Sequence, residues 1–172
     1  MNIFASDPDP FVCAANLDDK RVVKMCLETA QLLSTATPWL FPNYNQGELY
    51  KPAYVKHPCS LWAKASIVNF CWLVRHGLAL CKVYTDVYGK VHASEELIRK
   101  LDIMLIMADL LSTPRPTEFA NCTRNESAGV DFKNVVNTHT AYKMYLNARW
   151  ARDKRKPTWT NRNVPEWYRK ED

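Results

Sequence analysis

A chain of 172 residues, 47% of them hydrophobic, is long enough to bury a core without staples, and we read residues 1–172 as one domain. No run approaches the roughly eighteen apolar residues that a membrane helix needs. The start MNIFASDPDP lacks both the basic and the long apolar part of a secretory signal, so a soluble protein of the cytoplasm is expected, the host's if the chain is viral. The formal charge of +5 is unevenly spread: between Arg149 and Lys170 eight basic residues stand against two acidic ones, which leaves the remainder close to neutral.

Along the chain, Asp7 or Asp9 is placed to cap a short first helix, with Pro8 or Pro10 at its first position. Residues 16–36 then carry Val23, Cys26, Leu27, Ala30, Leu33 and Ala36 at three- and four-residue steps, the period of a helix with one buried face. Arg21, Lys24, Glu28, Gln31 and Thr35 share that stepping on another face, which is either a solvated surface or one wall of an active site. Pro38 is expected to end this helix. Residues 37–58, with four prolines and several aromatics, read as an ordered irregular loop, and a loop of that length in a compact domain is usually functional.

From Cys59 to about Tyr88, Ala63, Ile67, Phe70, Leu73, Val74, Leu78, Cys81 and Tyr84 keep helical spacing, with Gly77 a point of kinking or division and Gly89 suited to the left-handed position past the end. Ser94 is a candidate cap for a helix to about Leu111, with Leu97, Leu101, Met104, Leu105, Ala108 and Leu111 facing inward. Pro114 and Pro116 open a polar loop, and Asp131 is the candidate cap of a last helix from Phe132 to Arg152. That helix should turn Val135, His139, Tyr142, Leu146 and Trp150 inward, flanked by Val136 and Tyr145. No strand alternation persists. The expectation is an all-α fold: one compact helical domain with long ordered loops and an extended basic, aromatic C-terminal tail over about 153–172.

The six cysteines are scattered and no CxxC pair occurs, so neither a metal ligand set nor a cofactor is implied and reduced thiols are expected. The sequons at Asn121 and Asn125 then count as chance matches. Phosphate loops and serine elbows are absent. Three candidates for chemistry remain. Glu28 is one. The second is the tail, where Lys156 and Arg162 alternate with Trp159, Trp167 and Tyr168; cations beside aromatic faces suit nucleic acid, although a charge run is also what a solvated tail looks like. The third is the amine of Met1. An α-amine deprotonates near pH 7.7–8.0, well below a lysine, and amines form Schiff bases with carbonyl-like carbons. The bulky Asn2 disfavours removal of Met1, while Ile3 and Phe4 could anchor the start of the chain; an ordinary frayed terminus is the alternative. His57, just before Pro58, reads equally as a helix cap and as a substrate contact.

The residues Leu17-Asp18-Asp19-Lys20-Arg21, with Glu28 seven positions after Arg21, resemble the Leu-x-Asp-x-His motif and following catalytic glutamate of the phage endonuclease V family, the pyrimidine-dimer DNA glycosylases. Arg21 stands at the motif's histidine. The second long helix is also similar, and Lys156-Pro157-Thr158-Trp159 resembles that family's entry into an aromatic tail. The resemblance implies an all-α DNA glycosylase with abasic-site lyase activity on damaged or modified pyrimidines. Met1 would attack C1′ and Glu28 would assist; Asn2, Arg21, Lys24, His57, Lys156, Trp159, Arg162, Trp167 and Tyr168 would contact double-stranded DNA. No membrane partner and a monomer are expected. Two rival readings stay open: an enzyme acting on hypermodified bases or nucleotides on the same scaffold, and a non-catalytic DNA-binding protein.

Overall fold

In the computed structural model, which describes residues 1–110 and 115–170, the first cap is Asp9. Its carboxylate accepts from the N–H groups of Phe11 and Val12, with Pro10 at the first position, and starts helix α1, Pro10–Ala15. Helix α2, Asp19–Leu40, follows after Asn16, Leu17 and Asp18. Its buried face centres on Val22, Met25, Cys26, Thr29, Leu32 and Leu33, and it extends around to the nominally polar Arg21 and Glu28. Val23 and Leu27, expected inside, are exposed instead. Cys26, Ala30, Leu33 and Ala36 are buried as expected, and the buried face is broader than one stripe because neighbours wrap α2 on more than one side.

Pro38 does not end α2. It sits in the last turn, where its missing donor forfeits a single i−4 bond, and the N–H of Phe41 closes the helix on the carbonyl of Thr37. The segment 41–57 is irregular, as expected, apart from one 3₁₀ turn, Gln46–Glu48. Hydroxyls of α2 tie it down: Tyr50 N–H donates to Ser34 Oγ and Ala53 N–H to Thr35 Oγ1, both at 3.1 Å.

The long helix expected from Cys59 is two helices, α3, Pro58–Ala65, and α4, Ile67–Tyr88. The break lies at Ser66, whose extended backbone (φ −159°) interrupts the first helix while its hydroxyl caps the second at Asn69 N–H. Gly77 neither kinks nor divides α4. A Cβ there would lie 2.9 Å from Cγ2 of Thr29, so the glycine permits the close crossing of α2 and α4. Gly89 takes the expected left-handed position at φ 64°.

Helix α5, Glu95–Met107, buries Leu97, Ile98, Leu101 and Leu105 and stops short of the expected end, leaving Ala108 exposed. Leu111 and Pro114 lie outside the described residues. Asp131 does not cap the last helix: it belongs to a two-residue antiparallel ladder, Arg124–Asn125 (β1) with Val130–Asp131 (β2). Helix α6, Thr138–Arg152, is capped by Asn137, whose side chain accepts from Thr140 N–H. The apolar spacing of Phe132, Val135 and Val136 imitates a helical period through non-helical backbone, and Val136 ends up 95% exposed. Tyr142, Tyr145, Leu146 and Trp150 are buried as expected.

The tail folds back on the start of α2. The Asp19 carboxylate accepts from Thr158 Oγ1, Thr160 Oγ1, Thr160 N–H and the Arg162 guanidinium, and Trp159, Trp167 and Tyr168 close around Trp150. The all-α class expected from sequence is the class observed. No helix among the described residues is long and apolar enough to cross a membrane.

Candidate active site

The start of the chain is fixed. Asn2 Oδ1 accepts from the N–H groups of Ile3 and Phe4, a local loop that turns the backbone and leaves Phe4 at φ 55°. Asn2 Nδ2 donates to the carbonyl of Cys122 at 3.3 Å. The ring of Phe4 stacks on Tyr145 of α6, and His139 Nδ1 lies 2.7 Å from the carbonyl of Ala5. These anchors press residues 2–6, all buried, between α2 and α6.

The result is a short approach between two groups 27 positions apart. The amine of Met1 lies 3.8 Å from Oε2 of Glu28, and the same oxygen accepts from Asn2 N–H at 2.9 Å. Oε1 is 3.0 Å from Lys24 Nζ. The Glu28 side chain is 9% exposed and the Lys24 side chain 74% exposed. A nearly buried carboxylate is therefore held by an N–H donor and flanked by two nitrogen groups, one terminal and one on a flexible solvated stem. Charge-assisted bonds of this kind fix a carboxylate more firmly than neutral ones do.

These groups open into a cavity of about 530 Å³. Its wall includes Lys20, Arg21, Lys24, Arg124, Lys133 and Arg149, against the carboxylates Glu28 and Asp153. Cations in a concave, partly desolvated wall focus a positive field, which draws in polyanions. Arg21 is the most constrained of them. Its guanidinium bridges Asp18 Oδ1 and Asp153 Oδ2, both at 2.9 Å, and lies 5.9 Å from the ring centre of Trp150.

Of the candidates named from sequence, Met1, Asn2, Arg21, Lys24, Glu28 and His57 all line this cavity. Lys156, Trp159, Arg162, Trp167 and Tyr168 do not. Trp159 is 7% exposed and donates through Nε1 to the carbonyl of Asn16, and Arg162 is committed to Asp19 and to the carbonyls of Ala15 and Leu17. Trp159 and Arg162 thereby fasten the tail to the junction of α1 and α2, while Trp167 and Tyr168 pack on Trp150 of α6. Asn2 likewise spends its side chain on the chain's own backbone.

Sequence reasoning missed Cys122, Arg124, Lys133, Tyr145 and Arg149 as wall residues. Three of them come from the segment between α5 and α6, where Cys122 and Arg124 fall in the expected loop and Lys133 in a stretch whose apolar spacing only imitates a helix. Tyr145 and Arg149 did carry a signal, since they sit one turn apart on α6, with Arg149 donating to Tyr145 OH at 3.3 Å.

His57 caps α3 by accepting from Cys59 N–H through Nδ1, at 3.2 Å, as the first of its two sequence readings has it, and its side chain also lines the cavity. Partial burial and the positive amine of Met1 hold its pKa below the ordinary imidazole value, against the pull of Glu28. The neutral ring then carries its proton on Nε2. Cys59 and Cys122, remote in sequence, bring their sulfurs to 3.7 Å, and with His57 they form a group whose donor atoms lie within 4.8 Å of one another. All six cysteines are free.

A protein-family model described as pyrimidine dimer DNA glycosylase matches residues 1–95. That span holds the start of the chain, all of α2 with Lys24 and Glu28, and His57 at the start of α3; it does not reach Cys122, α6 or the tail. No curated protein and no solved structure gives a significant match.

Proposed function

The chain belongs to the pyrimidine dimer DNA glycosylase family, and on that premise we propose that its cavity removes a damaged or modified pyrimidine from double-stranded DNA and then breaks the strand at the exposed sugar. The observation that carries this reading is the 3.8 Å approach of the Met1 amine to the Glu28 carboxylate inside a cation-lined cavity. Nucleophile and carboxylate in mutual reach are what the chemistry requires.

Cations of the wall hold the phosphates, and the target nucleotide leaves the stack at a cost of a few kcal/mol, which damage reduces. The unprotonated Met1 nitrogen attacks C1′, and the electrons of the glycosidic bond depart with the base, which takes up a proton. Loss of a proton from nitrogen and opening of the sugar ring give a C1′=N Schiff base. Glu28 stabilises the positive charge that develops at C1′ and nitrogen, then accepts the proton from C2′. The electrons released there expel the 3′ phosphate, and water hydrolyses the imine to return the free amine. Glu28 acts here as electrostatic partner and base; the N–H of Asn2 orients it.

Lys24 is the rival amine, since its Nζ is closer to Glu28 than the Met1 nitrogen is. Borohydride reduction in the presence of an abasic duplex, followed by mass spectrometry of the digested adduct, separates the two. The adduct is expected on Met1. An adduct on Lys24, or none at all, overturns the mechanism.

A further inference from the structure

We propose that His57, Cys59 and Cys122 form a binding site for one zinc-class divalent cation on the rim of the cavity, a site that uses neither Met1 nor Glu28 as a ligand. Two thiolates on a tetrahedral zinc, each about 2.3 Å from the metal, must stand about 3.8 Å apart. The sulfurs of Cys59 and Cys122 are 3.7 Å apart. A disulfide would need them near 2.05 Å, far closer than they lie, and would make no use of a neighbouring imidazole. Here an imidazole is present: the donor atoms of all three residues fall within 4.8 Å of one another. Two soft sulfurs and one borderline nitrogen are a donor set that favours zinc over magnesium or calcium.

The three donors come from two segments that nothing in the sequence joins. His57 and Cys59 flank the first residue of α3, and Cys122 lies in the chain between α5 and α6. His57 and Cys122 line the cavity, so water from the cavity supplies the fourth ligand, while Cys59 holds the inner side at 1% exposure. Binding has a local cost. The cap bond from Cys59 N–H to His57 Nδ1 is lost whichever imidazole nitrogen takes the metal, because metallation of Nε2 leaves Nδ1 protonated. It also has a consequence for the start of the chain. The carbonyl of Cys122 accepts from Asn2 Nδ2, so a metal that fixes Cys122 stiffens the loop that presents Met1.

The test uses the full chain, reduced with a phosphine and titrated with Co²⁺. One Co²⁺ per chain is expected, with the intense visible bands of tetrahedral cobalt and thiolate-to-cobalt charge transfer in the near ultraviolet, all removed by one equivalent of Zn²⁺. Cys122→Ser, at a half-buried position, should abolish the charge-transfer signal or halve it. His57→Ala should weaken binding by more than about tenfold, the low end of what even outer-shell losses cost a metal site. Zn²⁺ should also slow amide exchange at Ile3 and Phe4. Far-ultraviolet dichroism of both metal-free variants confirms that they fold. Absence of a stoichiometric cobalt spectrum in the reduced protein overturns the proposal, and so does an unchanged spectrum in Cys122→Ser. Neither result touches the borohydride experiment, which needs no metal.

Discussion

Glu28 is the residue on which the proposed chemistry turns. Its two oxygens are divided between the start of the chain and Lys24, so Glu28→Gln keeps the shape and the Asn2 contact while removing the charge. We expect turnover on abasic DNA to fall by about 10² to 10⁴, the range for loss of a positioned base, with duplex affinity changed only severalfold. Single-turnover kinetics beside a binding titration would check this; equal losses in both would assign Glu28 to binding alone. The candidate was visible in sequence because a lone carboxylate shared a helical stripe with two cations. That residues 2–6 pack beside Glu28 was not visible in their own pattern, since five residues without periodicity announce no partner.

His76 shows a second residue-scale effect. It is wholly buried, its ring lies over Trp72, Nδ1 is 3.1 Å from the carbonyl of Pro10, and Nε2 has no partner. Burial pushes its pKa down to about 4, against the Pro10 carbonyl, from the unfolded value of 6.5. Between those values the unfolded chain binds the extra proton, so the neutral ring's contribution is complete above pH 6.5, falls as the pH drops through this window, and is gone below about 4. The loss amounts to about 3 kcal/mol. Urea denaturation of wild type and His76→Gln at pH 7 and near pH 4 should show a smaller drop for the variant; parallel drops would mean that the ring takes up its proton without unfolding.

At the scale of elements, the join that matters is Asp19 against the tail. Burial pushes the Asp19 carboxyl pKa up, but hydrogen bonds from Arg162, Thr160 and Thr158 outweigh it and hold the group below its ordinary value. Asp19→Ala leaves the largely buried Arg162 guanidinium without a counterion, at a cost of about 3–5 kcal/mol. The measurable outcome is earlier denaturation with rapid proteolysis confined to residues after Arg152; a tail that stays resistant would show that the aromatic packing around Trp150 suffices.

The same element shows why the composition of the tail supports more than one reading. Alternating cations and aromatic rings satisfy a buried latch as well as a nucleic-acid surface, and composition alone does not separate them. Helix existence was legible wherever apolar spacing ran for several turns, as in α2, α4 and α5. Helix ends were legible at Asp9, Ser94, Gly89 and Arg152. The break at Ser66 lay inside an unbroken apolar pattern, and the true start of α6 at Asn137 was hidden by Val135 and Val136 continuing the period through a turn.

For the whole molecule, charge placement matters more than net charge. The cations of the cavity come from α2, from the β1–β2 region and from α6, so the positive surface exists only in the folded chain. Lys133 and Arg149 are the two that face the cavity without a carboxylate partner in the described ion pairs, unlike Arg21 and Arg124. If each contacts one phosphate, Lys133→Ala and Arg149→Ala should each reduce the slope of log affinity against log salt by about 0.9 on any duplex. Lys156→Ala, outside the cavity, should leave the slope nearly unchanged. Fluorescence anisotropy across a salt series reads all three.

The side chain of Met1 is 1% exposed although the residue as a whole is half-buried, so what it exposes is main chain, and the residue lines the cavity. A peptide bond there would turn a basic amine into a planar amide and push additional chain into the cavity mouth. Fusing an affinity handle ahead of Met1 should therefore yield a folded, DNA-retaining, inert protein, while the same handle placed after the last residue should leave turnover intact. Front-end acetylation should silence it in the same way.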